Sequence, residues 1–551
     1  MNGDGRSGGT FAPLRLPLFR SIWLTSLISN FGHLMLGVAA AWEMTRLTDT
    51  ASMVALVQTA MMLPLMLVSV PAGAVADMFD RRKIALTGLG FSMLAALVLT
   101  LLGLAGLLTP WLLLAFCALI GAGVALYSPA WQASIREQVP PEQMPAAIAL
   151  GTISYNVARS FGPAVGGVIV LAFGAQAAFG INALFYAPLF IAFLLWRRQQ
   201  LPARLPPERL DRAILSGVRY ALYAPSVRNL MIRAMLFGAA AASAMALAPL
   251  VARDLLGGSA GLFGMLLGAL GAGAVVGALL IRPVRDNMTT ERATTITALI
   301  SAAGIATIGL SRAPLLTGAA MFLMGSTNVL TIALLNVGVQ MSVPRWVTAR
   351  ALSLFSAAFT GGVAIGAWGW GLVATDFGVT PAFLLSAVLV TTLPLIGLLL
   401  RVEQPDFADV ELAPIQTAPD VALGMSMRSG PVTVEIDYVV EPERARDFYD
   451  VMRRMQRARL RRGAFSWGLA RDIGDPSLWT ERLQFPTWGD YLRQRSRFTH
   501  SDRELQVEAD RFHAPEGGKR VRLRLERPFG PARRKADQPD HRQDNIGYTG
   551  P

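Results

Sequence analysis

"GAVADMFDRRKIA", Gly73–Ala85, sets two aspartates and three consecutive basic residues between two long apolar stretches. The cluster reads as a polar turn joining hydrophobic segments that are too apolar to face water. Apolar windows of about 20 residues, the length that crosses a hydrocarbon core, recur on both sides of it. They fall near 18–42, 52–76, 84–108, 111–133, 146–172 and 177–196, then near 230–251, 261–282, 292–311, 314–341, 349–374 and 380–400. This pattern predicts an all-α membrane protein with twelve transmembrane helices in two six-helix halves, residues 1–197 and 230–401.

Composition agrees with that reading. Of 551 residues, 53% are hydrophobic and 16% charged, where soluble domains carry about 25% charged residues. Residues 402–551 hold 25 of the 50 basic and 24 of the 37 acidic residues, which leaves 25 and 13 for the apolar part. The excess positive charge therefore sits beside membrane-length segments, which argues for anchoring charges and against nucleic acid as a partner. The lone cysteine, Cys117, excludes a disulfide framework or a cysteine zinc site within the chain. No G-x-x-x-x-G-K-[ST] loop is present, so ATP does not drive the protein directly, and no cofactor or metal is expected. The first apolar stretch is long enough to span and lacks a cleavage site, so it reads as a transmembrane helix, not a leader.

Orientation follows from the basic residues. With the N-terminus inside, Arg15, Arg20, Arg81–Lys83, Arg136, the central-loop arginines, Arg282, Arg285 and Arg292 are cytoplasmic, while only Arg46, Arg253 and Arg312 face out. Both termini are then cytoplasmic. Residues 198–229 form a cytoplasmic central loop whose second half has the pattern of an amphipathic helix on the membrane surface.

Beyond the last window, 402–429 is an acidic, proline-containing linker. Residues 430–528 follow the order βαββαβ, that of a small cytoplasmic α+β ferredoxin-like domain. Its first strand alternates Val432, Val434, Ile436 and Tyr438, and its last alternates Val521, Leu523 and Leu525. A helix carries Phe448, Met452 and Met455 on one side, and a capping box from Ser501 to Glu504 restarts a later one. The tail, 529–551, has the composition of a disordered segment.

Two six-helix halves, a long central loop and the opening stretch together resemble the major facilitator superfamily. The family's loop signature, G-x-x-x-D-x-x-G-R-[RK]-x, is matched by Gly73, Asp77, Arg81, Arg82 and Lys83, with Asp80 where glycine is usual. The resemblance implies a cytoplasmic gate. Asp77 would face the N-terminus of a helix from the other half, and Arg81 would pair with it. Positive-inside anchoring accounts for the basic residues but not for Asp77. The second half has a degraded echo in Gly277, Arg282, Arg285 and Asp286. Gly162, Pro163, Gly166 and Gly167 resemble the G-P-x-x-G-G ending of the family's antiporters, and equally suit tight packing or a hinge.

Polar residues inside the windows are the candidates for a translocation path or for ion coupling. Arg159 lies deep in the fifth window, where a charge should face the bundle interior or a water-filled cavity. Asn30, His33, Asn156, Asn182, Asn328 and Asn336 could line the path or bond between helices. Glu43, with Arg46 or Arg159, is the candidate for the titrating group, since no Asp or Glu lies deep in any window.

The opening "LPLFRSIWLTSLISNFGHLMLGVAAAWEMTRLT" is similar to the bacterial branch that includes the enterobactin exporter and the transmembrane secretion effectors. That resemblance implies an inner-membrane secondary transporter, surrounded by lipid, that exports a siderophore or drug-like molecule in exchange for protons. Import of a small metabolite is the alternative direction. The C-terminal part resembles an antibiotic-biosynthesis-monooxygenase-type domain, which leaves open a fused enzyme and a homodimer. Trp467, Trp479, Trp488, His500 and His513 read better as core or dimer contacts than as catalytic groups, so the chain is not expected to be an enzyme.

Overall fold

The computed structural model describes residues 11–78, 80–196, 210–344, 347–400, 423–514 and 520–526, without the side chains of 69, 70, 72–79, 136, 141, 145, 210–216, 349 and 496. Most of the 402–429 linker, the 529–551 tail, Phe79, and the side chains of Gly73 and Asp77 thus lie outside the described residues. The chain divides into two compact units. The first comprises 1–214, 229–338 and 352–402, and the second comprises 215–228, 339–351 and 403–551.

The first unit is helical. Its first half holds α1 (Pro17–Leu47), α2 (Ala51–Met78), α3 (Arg81–Leu104), α4 (Pro110–Ser134) and α5 (Met144–Leu195). A connector helix, α6 (Leu210–Tyr223), leads to α7 (Pro225–Ala241), which short turns extend to Leu255. Then come α8 (Ala260–Asn287), α9 (Thr290–Leu310), α10 (Pro314–Met341), α11 (Thr348–Phe377) and α12 (Val379–Leu399). Among the described residues, 11 helices are long and apolar enough to cross a membrane. The twelve windows differ from this number at one place. Two of them lie in α5, whose 52 residues break at Gly174, where φ is 83°. Only glycine takes that backbone without strain.

Helices in lipid gain nothing from hiding apolar surface from one another, so they associate through close backbone approach. A Cβ on Gly167 would lie 2.6 Å from Gly264 Cα, and one on Gly271 would lie 2.5 Å from Ser160 Cα. Ser160 Oγ donates to the Gly271 carbonyl at 3.0 Å, so α5 and α8 meet backbone to backbone across the two halves. Gly162 and Gly166 turn instead to α1, where their Cβ positions would come 3.1 Å from Leu34 Cβ and 3.0 Å from Met35 Cα. Pro163 lies between, within α5, its carbonyl close to Gly264. A second seam joins α2 to α11. Ser52 N donates to Thr375 Oγ1 at 2.9 Å, and Thr59 Oγ1 to the Ala364 carbonyl at 2.9 Å.

The second unit's C-terminal part contains β1 (Val432–Val439), α13 (Ala445–Arg461), β2 (Ser466–Arg471), β3 (Leu478–Phe485), α14 (Trp488–Ser496), α15 (His500–Asp510) and β4 (Arg520–Leu525). The strands form an antiparallel sheet in the order β2-β3-β1-β4, with Val434 opposite both Leu483 and Leu523. Val432, Val434, Ile436 and Tyr438 are buried with Phe448, Met452, Met455 and Phe485. Two details differ from the sequence reading. Val521 is 53% exposed, leaving Leu523 and Leu525 to pack on the core. The capping box is Thr499 with Asp502, not Ser501 with Glu504, because Thr499 takes the extended cap conformation that starts α15.

This core also contains charge. Arg459 grips Glu481 through two bonds of 3.0 and 3.2 Å, and Trp467 Nε1 donates to the same carboxylate at 2.9 Å. Asp502 accepts from Arg461 at 2.8 Å and lies 3.6 Å from Arg462. Burial alone would raise the Asp502 pKa, but Arg462 and Arg461 hold it below the usual carboxylate value. A depressed pKa contributes stability above the unfolded value and loses it as pH falls through the folded one.

Two outcomes follow for stability. Gly264→Ala, which places a Cβ 2.7 Å from Gly167 Cα, should cost about 1–3 kcal/mol and lower the thermal midpoint in detergent. Gly318→Ala, with nothing within 4 Å, should leave that midpoint in place. Asp502→Asn should destabilise the C-terminal domain by about 3 kcal/mol at neutral pH, since it leaves two buried arginines short of a counter-charge. The gap to wild type should shrink as pH falls below about 4, measured by hydrogen exchange of β1 and α15 peptides.

Candidate functional site

The opening stretch is found at one end of the first half. Asp80 ends the turn in an extended conformation, φ −64° and ψ 109°, and caps α3 by accepting from Arg82 N at 3.0 Å. The residue that departs from the family signature thus occupies a helix N-cap, a position where aspartate is favoured and no left-handed backbone is needed. Arg81 donates to the Ala133 carbonyl at 3.0 Å and to Glu137 at 3.1 Å, at the end of α4. Arg82 donates to the Phe193 and Leu194 carbonyls at 2.9 and 2.5 Å, among the free carbonyls of the last turn of α5. Lys83 is exposed. These described contacts stay inside the first half.

At the same end of the second half, the echo residues Arg282, Arg285 and Asp286 form only exposed pairs of 3.6 and 3.8 Å. The buried pair is elsewhere. Arg233 of α7, 9% exposed, meets both oxygens of Glu291 at 2.5 and 2.9 Å and Thr294 at 3.1 Å. Sequence reasoning missed it, although an arginine inside an apolar window and an acid opening a later helix were visible signals.

The opposite end joins the halves. Arg253 donates to the Thr45 carbonyl at 2.7 Å and lies 3.6 Å from Asp49, both at the end of α1. Trp42 stacks on Phe263 with centroids 6.2 Å apart. Glu43, 5% exposed, is held by Arg46 at 3.2 Å and Gln176 at 3.3 Å; no bond joins it to Arg159. Together with the α5–α8 and α2–α11 seams, these contacts join the halves.

The polar candidates within the helices do not form one cluster. Asn30, Asn156, Arg159, Asn328 and Asn336 are half-buried, and no hydrogen bond joins any two of them among the described residues. Arg159 has no polar partner among those residues. Asn328 Oδ1 is buried without one. His33 does have company, with its Nδ1 lying 3.4 Å from the Tyr186 hydroxyl. Beside it, Ser29 and Asn182 are 0% exposed, and Ser29 Oγ and both amide atoms of Asn182 lack partners. A Cβ on Gly32 would come 3.0 Å from Asn182 Oδ1, so α1 and the second arm of α5 are in close contact here. Asn182 and Tyr186, four residues apart, share a helix face, the signal that could have drawn Tyr186 into the candidate set.

Trp467, Trp479 and Trp488 pack with the core of the C-terminal domain and His513 bonds its first strand, while His500 opens α15. Trp467 bonds to Glu481, Trp488 is 7% exposed, and His513 Nδ1 accepts from Val439 N at 3.0 Å.

Comparison with known proteins agrees with this geometry. The profile of one family, described as "Transmembrane secretion effector", matches residues 8–529. The chain is 26% identical over 355 residues, 61% of its length and 82% of the relative's, to the MFS-type transporter YfiS of Bacillus subtilis. It is 24% identical over 263 residues, 47% of its length and 66% of the relative's, to the staphyloferrin A transporter of Staphylococcus aureus. Its fold is similar to an inward-facing, unoccupied bacterial homologue of the human lysosomal transporter Spinster, with a TM-score of 0.56 at 13% identity over 72% of this chain and 96% of that one. It is similar to the nucleoside transporter NupG, with a TM-score of 0.55 at 13% identity over 70% and 98%. The chain belongs to the transmembrane secretion effector family and is a membrane transporter of the major facilitator type.

Proposed function

We propose that the protein is a secondary exporter that moves an amphipathic small molecule, siderophore or drug-like, out of the cell by alternating access and proton antiport. The observation that carries this reading is the tie between the halves at one end, where Arg253 of the second half donates to the Thr45 carbonyl and lies 3.6 Å from Asp49 of the first. An alternating-access transporter at rest has one gate formed and the other parted.

The basic-residue distribution makes the tied end the outer one, so the conformation reads as inward-facing, in a bacterial inner membrane with both termini cytoplasmic. On this reading α5 crosses twice, at Gly174, which gives twelve spans. Its 52 residues at about 1.5 Å each exceed two bilayer cores of about 30 Å. The strand order β2-β3-β1-β4 supports a ferredoxin-like C-terminal domain. The similarity to the staphyloferrin A transporter of Staphylococcus aureus supports the choice of cargo.

Asn30, Asn156, Arg159, Asn328 and Asn336 would line the path, and Asp77 would close the inner gate in the outward-facing state. His33, with Tyr186, Asn182 and Ser29, is the coupling candidate that the geometry favours over Glu43, because Glu43 is already held by Arg46 and Gln176. An imidazole nitrogen can take up and release a proton, so the site does not require a deep carboxylate.

The test is transport into inside-out vesicles with and without a protonophore. Proton-driven uptake supports export, and accumulation only in right-side-out vesicles would establish import instead. In the same assay, His33→Gln should cut proton-driven uptake by about 100-fold, an expected scale for loss of an essential proton carrier. Counterflow exchange of substrate at equal pH should persist in that variant, and loss of both activities would count against the coupling role. Arg253→Ala removes the outer tie and should raise alkylation of Thr45→Cys, a position 6% exposed, by several-fold, because contacts of about 1 kcal/mol set the balance between states.

A further inference from the structure

The connector helix α6 has partners in the unit that contains the C-terminal domain. Residues 215–228 belong to the same compact unit as the C-terminal domain, together with 339–351. Arg219 Nη1 donates to two carbonyls, Gly463 at 3.3 Å and Ala464 at 3.2 Å. These carbonyls follow directly on the C-terminus of α13, where Gly463 turns the chain with φ 123°. Carbonyls at a helix C-terminus carry a partial negative charge, and a planar guanidinium can bond two of them at once. One residue on, the Arg461 guanidinium lies 5.8 Å from the centre of the Tyr220 ring, while also bonding Asp502 at 2.8 Å. Tyr220 is 4% exposed, and burial, only partly opposed by Arg461, pushes its pKa up to about 12. On the same helix a Cβ on Gly217 would come 3.0 Å from Arg350 Cβ, so the segment between α10 and α11 touches the connector too.

These contacts join three stretches that are far apart in sequence. The first is the covalent link between the two halves, the second is a loop of the second half, and the third is the turn after α13. We propose that the C-terminal domain is a built-in brake, clamped through the Arg219 and Tyr220 contacts to the connector and slowing the rearrangement of the halves. This rests on the transport reading given above. In alternating access the halves rock against each other, and the connector must accommodate that motion. A folded domain bonded to the connector, which itself packs against Arg350, makes the connector move with the second half. Each clamp contact is individually weak, so a ligand or partner of the domain could release it.

The test compares wild type, Arg219→Ala and Arg219→Lys as full chains in nanodiscs by hydrogen exchange, with ethidium efflux from cells as the transport readout. In Arg219→Ala, exchange in peptides 215–223 and 461–465 should rise together by about tenfold, as expected for a local opening, while β1 and β3 keep their protection. Peptides 44–52 and 251–256, which cover the tied end, should also exchange faster, and ethidium efflux should speed up by several-fold. Arg219→Lys, which keeps the charge, should lie between. Unchanged exchange on either side of the clamp would overturn the docking, and docking lost with unchanged tied-end exchange would overturn the brake. If wild type moves no ethidium, the transport reading is in question for that probe, and the tied-end exchange still decides the brake.

Discussion

Helices α5 and α8 touch through backbone because Gly167 faces Gly264 and Gly271 faces Ser160, with no side chain between them. In a medium where apolar surface has no reason to hide, this closeness supplies the packing that holds two halves together. It also sets the geometry of the rest. Fixing α5 against α8 brings the end of α1 within reach of Arg253, so that one charged side chain can tie the halves there. A seam made of glycine and serine can also slide without breaking interlocked side chains, which suits two halves that rock.

The family's loop signature gains a physical description from the same geometry. Its arginines bond the end of α4 and the last carbonyls of α5, which knits the first half into a unit. Asp80, the position that departs from the signature, works as a helix cap. The second half replaces the signature with Arg233 and Glu291, a pair that bridges α7 and α9 and lies partly out of water. Each half is thus braced in its own way.

Much of this was legible in the sequence, for identifiable reasons. Apolar runs of membrane length survive any misplacement of helix ends, so the helical membrane architecture and the two halves could be read directly. The alternation of Val432, Val434, Ile436 and Tyr438 announced a buried strand. What could not be read was pairing across distance. No local pattern brings Arg253 to Thr45, Arg219 to Gly463, or Tyr186 to His33. Caps were misread where two candidates stood two residues apart, because Thr499–Asp502 and Ser501–Glu504 share a pattern and only backbone dihedrals choose between them. The glycines of α5 were ambiguous in sequence because one residue type serves both hinges and contacts.

The central claim is that the ends of the molecule open in turn. Spin labels on Asp49→Cys and Asp254→Cys report one end, and labels on Lys83→Cys and Asp286→Cys report the other; the native Cys117 is buried. Double electron–electron resonance on both pairs, with and without a transported substrate, reads the two distances independently. The account predicts that the first distance is short in the resting protein and lengthens as the second shortens. Two distances that stay fixed, or that lengthen together, would contradict it.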